Sequence, residues 1–135
     1  MAEWAPRVLT LLGATLFLLT PTGGQVIDSD GAILFARYCA ACHGQLGEGD
    51  GPVASVMLIT VPNLRTLSAR SNGSFPRDAV MQYIDGRNLP AAHGDRLMPV
   101  WGDAFAKTAV DSESGESVAR TRITAITEFV ERLQN

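Results

Sequence analysis

The chain has 135 residues, 46% hydrophobic and 19% charged, with a formal net charge of −3; that is room for one domain with a core of its own. No basic excess exists to neutralise phosphates, which excludes nucleic acid as the main partner. The positive charge is also unusual in kind, with ten arginines beside a single lysine, Lys107.

The first two dozen residues differ from the rest. The amino terminus and Arg7 precede an uncharged run of thirteen residues, Val8 to Thr20, and small residues follow at Thr22 and Gly24. Positive start, short apolar run and small-residue exit describe a secretory signal peptide. The run is short of the roughly 20 residues that a membrane-spanning helix needs. The expectation is a signal peptide over residues 1–24, cut near Gly24, and a mature domain over residues 25–135. A retained membrane anchor is the alternative, because Glu3 weakens the positive start and the exit lacks alanine.

Next, "DGAILFARYCAACH" reads as a helix with Asp30 or Ser29 as N-cap and a broad buried face at Ile33, Leu34, Phe35, Tyr38 and Cys42. Gly44, Gly47, Gly49 and Gly51 then open a loop, and "VASVML" forms a short helical turn. Val61 to Leu67 marks a turn followed by another short helix. "FPRDAVMQYIDG" has strong helix punctuation, with Pro76 suited to the first turn, Gly86 to the stop, and a stripe of Val80, Tyr83 and Ile84. The stretch from Arg87 to Phe105 reads as loop, and the acidic, serine-rich stretch from Ala109 to Val118 as exposed. Ile123, Ile126, Val130 and Leu133, spaced three, four and three apart with Phe129 beside them, predict an amphipathic terminal helix. No strand or internal repeat is evident. The expected fold is all-α, three to five short helices joined by long loops, with something other than side chains at its centre.

The two cysteines of the chain, Cys39 and Cys42, stand in "CAACH" with His43 directly after them. A thioredoxin-like redox pair belongs at a helix start within a βαβ setting, whereas these cysteines end a helix. A structural zinc site closes with four ligands and would require Cys39, Cys42, His43 and His93 together, with Cys42 and His43 too close for easy tetrahedral ligation. The third reading is covalent haem attachment, of which C-x-x-C-H is the signature. Residues i and i+3 share a helix face, so both sulfurs reach one haem, and His43 follows against the iron. An export signal ahead of the motif favours this reading, since free thiols oxidise or are captured outside the cytosol.

Methionine opposite histidine is the electron-transfer ligand pair. Met98 lies in a loop with a proline after it, 55 residues beyond His43, ample chain to wrap round a flat cofactor. Met57 lies only fourteen residues past His43, Met81 sits within a helix where packing is the plainer role, and His93 is the competing ligand.

Together these residues resemble a small class I c-type cytochrome, a bacterial monohaem cytochrome c domain. "GAILF" is similar to that family's first helix, in which Gly31 lets the terminal helix cross closely and Phe35 packs beside it. "PNL" resembles the family turn whose proline carbonyl, here that of Pro62, accepts a hydrogen bond from the proximal histidine, with Leu64 against the haem. "MPVWG" resembles the bacterial distal loop, which assigns Met98 as sixth ligand. The resemblance implies the class I cytochrome c fold, one covalently bound haem c per chain, and Arg87 and Trp101 as candidates for the propionates. Two departures stand out. With one lysine, docking through a lysine ring does not carry over, and the stretch from Gly102 to Ser117 is long enough to touch a partner.

The function so implied is a periplasmic one-electron carrier exchanging electrons with donor and acceptor proteins, and not an enzyme. One alternative is the haem c subunit of a larger periplasmic or membrane-associated dehydrogenase or oxidase complex. Another is a haem enzyme or gas sensor with a displaceable distal ligand.

Overall fold

A computed structural model describes residues 1, 30–89 and 98–135. The expected signal peptide and the site of its removal lie outside these residues, as does His93. Six α-helices appear in chain order: α1 (Gly31–Tyr38), α2 (Ala40–His43), α3 (Leu67–Arg70), α4 (Arg77–Asp85), α5 (Trp101–Ala106) and α6 (Ser112–Arg132). Two 3₁₀ turns, Ala54–Val56 and Leu64–Thr66, punctuate the loop between α2 and α3, and no strand occurs among the described residues. Two of the six helices are single turns, so four longer helices carry the architecture. Among the described residues, no helix is long and apolar enough to cross a membrane.

Local chemistry sets the helix ends. The Asp30 carboxylate accepts from the amides of Ala32 and Ile33, which caps α1 and settles the choice between Asp30 and Ser29. Gly86 stops α4 in the left-handed region at φ 75°, a conformation that costs glycine nothing.

Helix α6 is the spine, packed against α1, α4 and α5. Its buried stripe of Ala119, Ile123, Ile126 and Val130 meets Leu34 and Phe35 of α1, Ile84 of α4 and Phe105 of α5 in one core. The crossing with α1 is the tightest point. A Cβ added at Gly31 would lie 2.1 Å from the Ala125 carbonyl oxygen, so a glycine is the residue that lets these backbones touch. Phe35 then meets Phe129 with ring centroids 5.0 Å apart.

Three expectations are corrected. The buried face of α1 is narrower than expected, because Ile33 is exposed. The stretch from Arg87 to Phe105 is not loop throughout, because α5 begins at Trp101, buries Phe105 and packs along α6. The serine-rich stretch is largely exposed, as expected, but it is not a connection. Asp111 caps α6 through the Ser114 amide at 2.7 Å, and the helix runs on from Ser112. Between Gly102 and Ser117 there is accordingly no long link, only two helices and a short turn.

Gly31→Ala is expected to cost about 1–3 kcal/mol, the range for overpacking a filled site. A urea unfolding midpoint unchanged by that substitution would show that α1 and α6 can part without penalty.

Candidate functional site

Helices α1 and α2 meet at Cys39, which closes one and opens the other at φ −117°, ψ −37°. The amides of Cys42 and His43 both donate to the Cys39 carbonyl, at 3.2 and 2.9 Å. This single turn sets both sulfurs and the imidazole on one wall. Cys39 is 8% exposed, and neither cysteine forms a disulfide. Burial first, then charge on Cys42, pushes the Cys39 thiol up to about 12. Redox-active thiols are shifted the other way, so this sulfur is a poor exchange nucleophile.

His43 is half-buried, and loss of hydration holds its pKa below the ordinary value, with the Pro62 hydrogen bond working in the opposite direction. The ring is therefore neutral near pH 7. Its Nδ1 faces the Pro62 carbonyl oxygen at 3.4 Å. A carbonyl can only accept, so Nδ1 carries the proton and the Nε2 lone pair is available to a metal.

Two adjoining cavities, of about 390 and 290 Å³, open beside this wall, and Cys39, His43, Pro62, Tyr83 and Met98 border both. The first reaches the core at Phe35, Ile84, Ile126 and Val130, with Leu64 and Leu67 on its side. The second runs past Cys42, Val61 and Trp101. Apolar walls, a neutral imidazole, a thioether and two thiols suit a flat hydrophobic metal macrocycle tethered through sulfur. The donor set thus fits the covalent haem that the C-x-x-C-H signature implies.

The residues singled out from sequence fall as follows. Met98 borders both cavities, Met57 only the second, and Met81 neither. Pro62 and Leu64 stand on the cavity walls, and Trp101 does so while stacking on Phe105, their centroids 5.5 Å apart. Arg87 lines neither cavity. Its guanidinium grips both carboxylate oxygens of Asp85, at 2.8 and 2.6 Å, and reaches Glu116 of α6 at 2.7 Å. Among the described residues, the cation that borders the first cavity is Arg70, whose Nη2 donates to the Asn63 carbonyl at 2.8 Å. Sequence reasoning missed Arg70 and Tyr83 as lining residues. The repeat Leu64, Leu67, Arg70, each three residues apart along one helical face, was the available signal for the arginine.

Beyond the second cavity lies an apolar rim. Val56 and Leu58 are 77% and 97% exposed, with Val53 and Ile59 also at the surface. No charged residue stands between Asp50 and Arg65.

Comparison with known proteins agrees with this geometry. The family profile described as Cytochrome c matches residues 29–133. A curated relative, the protein named Cytochrome c6 of Synechococcus sp. (strain ATCC 27167 / PCC 6312), is 32% identical over 107 residues, covering 78% of this chain and 88% of its own. No solved structure matches the chain.

The Arg87 cluster yields a pH dependence. The Arg87 guanidinium, by its hydrogen bonds first, holds the Asp85 and Glu116 carboxyls below their ordinary range. A depressed folded pKa contributes stability that is present above the unfolded pKa and lost as pH falls through the folded one. Arg87→Leu is therefore expected to destabilise near neutral pH and to cost progressively less below about pH 4. Urea unfolding across that range reads the difference, and a loss equal at every pH would remove the carboxylates from the account.

Proposed function

The chain belongs to the cytochrome c family as a small class I c-type cytochrome, and on that premise we propose that it is an exported one-electron carrier holding one haem c. The observation that carries this reading is the convergence of Cys39, Cys42, His43 and Met98 on a single apolar cavity system. Haem bound there supplies a reversible ferric–ferrous couple. Everything else is the work of side chains.

In this reading Cys39 and Cys42 tether the group through thioethers and His43 presents Nε2 to the iron. The Pro62 carbonyl keeps the ring's other nitrogen protonated and raises its basicity. Met98 would be the second iron ligand, favoured over Met57 because it borders both cavities. A thioether paired with an imidazole would raise the reduction potential, and with both residues bound no iron position would remain for substrate. That is the arrangement of a carrier rather than of an oxidase or gas sensor. Leu64, Ile126 and Val130 exclude water. Arg70 at the cavity edge supplies the cation for a propionate, a role the Asp85 and Glu116 carboxylates leave Arg87 poorly free to take. Trp101 remains the second propionate candidate, on the wall of the other cavity.

Export rests on the uncharged run from Val8 to Thr20, with the periplasm as destination. Docking rests on the uncharged rim at Val53 to Ile59, which borders the second cavity through Met57 and Ile59. Donor and acceptor proteins would meet the cofactor there. The same exposed apolar area would equally serve a haem subunit seated permanently on a larger dehydrogenase or oxidase. Purification separates the two, since a free monomer supports the shuttle and co-elution with a catalytic subunit supports the complex.

The chain expressed with the cytochrome maturation machinery is expected to retain haem under denaturing conditions, and Cys39→Ala combined with Cys42→Ala is expected to lose it. Haem still attached to the double variant would sink the tether assignment. Met98→Ala is expected to lower the reduction potential and let the ferrous protein bind carbon monoxide rapidly. An unchanged visible spectrum and potential would return the sixth position to another residue.

A further inference from the structure

We propose that Gln134 is a positioning residue for His43, holding from outside the cavity the backbone segment whose carbonyl faces the imidazole. The inference rests on the carrier reading above, with His43 as the proximal ligand.

Gln134 follows α6, is half-buried, and spends one side-chain amide on three bonds. Its Nε2 donates to the Val130 carbonyl at 2.8 Å, on its own helix, and to the Leu64 carbonyl at 2.8 Å. Its Oε1 accepts from the Ser68 amide at 2.9 Å. Capping α6 accounts for the first of these bonds alone. The other two reach across to the 3₁₀ turn and to α3.

From the opposite side the Leu64 amide donates to the Gly47 carbonyl at 2.7 Å. Both backbone polar groups of Leu64 are thereby fixed, the amide by the glycine loop and the carbonyl by Gln134 together with the Leu67 amide of the same turn. The same loop presses on the preceding residues. A Cβ at Gly49, whose φ is +83°, would fall 2.5 Å from the Val61 carbonyl oxygen and 3.3 Å from that of Pro62. The Gly49 amide in turn donates to the His43 carbonyl at 2.8 Å.

Pro62 has no N–H with which to anchor itself, so its place is set by these neighbours. Its carbonyl lies 3.4 Å from His43 Nδ1, beyond the usual 2.9–3.0 Å for such bonds. At that length the bond is sensitive to small displacements of the segment. Asn135 and Arg65 also join the end of α6 to this region, through Arg65 Nη2 on Asn135 Oδ1 at 2.6 Å and the Asn135 amide on the Arg65 carbonyl at 3.3 Å, and Arg70 Nη2 donates to the Asn63 carbonyl at 2.8 Å. Among these contacts, Gln134 is the one that brings the terminal segment onto the Leu64 carbonyl.

A hydrogen bond from the far nitrogen raises the basicity of a metal-bound imidazole. Slackening it makes the ligand a poorer donor and disfavours the ferric state, so the potential moves up.

Two variants test this in the haem-loaded protein. Gln134→Leu keeps the bulk and deletes all three bonds; Gln134→Glu keeps an acceptor for Ser68 and removes the donor to Leu64. The measurements are solvent exchange of the His43 Nδ1 proton by NMR, the midpoint potential, and the unfolding midpoint of the same samples. Both variants are expected to retain covalent haem and Met98 ligation with Nδ1 exchange several-fold faster, and the leucine variant, which adds no charge, to show a more positive potential. Exchange and the leucine variant's potential unchanged while the unfolding midpoint falls would reduce Gln134 to a tie for α6 and overturn the proposal. Should the leucine variant not fold, the glutamate variant decides on Nδ1 exchange. A wild-type preparation without covalent haem would instead sink the carrier reading itself, and is visible before any variant is compared.

Discussion

The backbone contact of α1 with α6 at Gly31 is the constraint on which the rest depends. It brings Leu34 and Phe35 down onto Ile126 and Val130, side chains whose full burial contributes about 1.5–3 kcal/mol each. It also decides where the chain points next. Helix α1 runs directly into the turn that carries Cys39, Cys42 and His43, so the crossing sets the distance from both sulfurs to the core. The floor of the first cavity is made of the same residues, Phe35, Ile126 and Val130. Core and site are one piece of packing.

Burial also decides the chemistry. The desolvation that favours the fold keeps the His43 ring neutral and the Cys39 sulfur protonated, and in both it is the largest cause of the shift. The protein then adds polarity at few points. One carbonyl faces the imidazole, one arginine among the described residues borders the cavity, and several of the other charges pair with each other at the surface. Arg77, for example, meets Glu128 and Glu131 of α6 and ties α4 to the spine without approaching the cavity.

What could be read from the sequence was whatever is encoded locally. Asp30, Gly86 and the spacing of Ile123 to Leu133 mark helix ends and faces within a turn or two, and the structure keeps them. Helix α5 escaped because six residues containing a glycine, directly after a proline-rich segment, carry too little periodicity. The first turns of α6 escaped for a different reason. Gly115 and Ala119 are buried there, but such small side chains register as neither apolar stripe nor core. In the site, the cysteine–histidine turn is contiguous and legible. Arg70 against the cavity and Arg87 on Glu116 depend on which elements meet in space, and Glu116 lies 29 residues beyond the arginine it binds. Charge is visible in a sequence; its counter-ion is not.

The rim from Val53 to Ile59 has a kinetic consequence. An oppositely charged face reaches out about a Debye length and steers its partner, lifting association above the 10⁵–10⁷ M⁻¹s⁻¹ typical of unguided docking. A stretch of fourteen residues without a charge, from Gly51 to Leu64, has no such reach. Whatever protein meets it does so by collision and short-range desolvation. If partners dock here as proposed, traffic through this face would be governed by the abundance of the partner and the speed of release, and hardly by the salt of the surrounding medium.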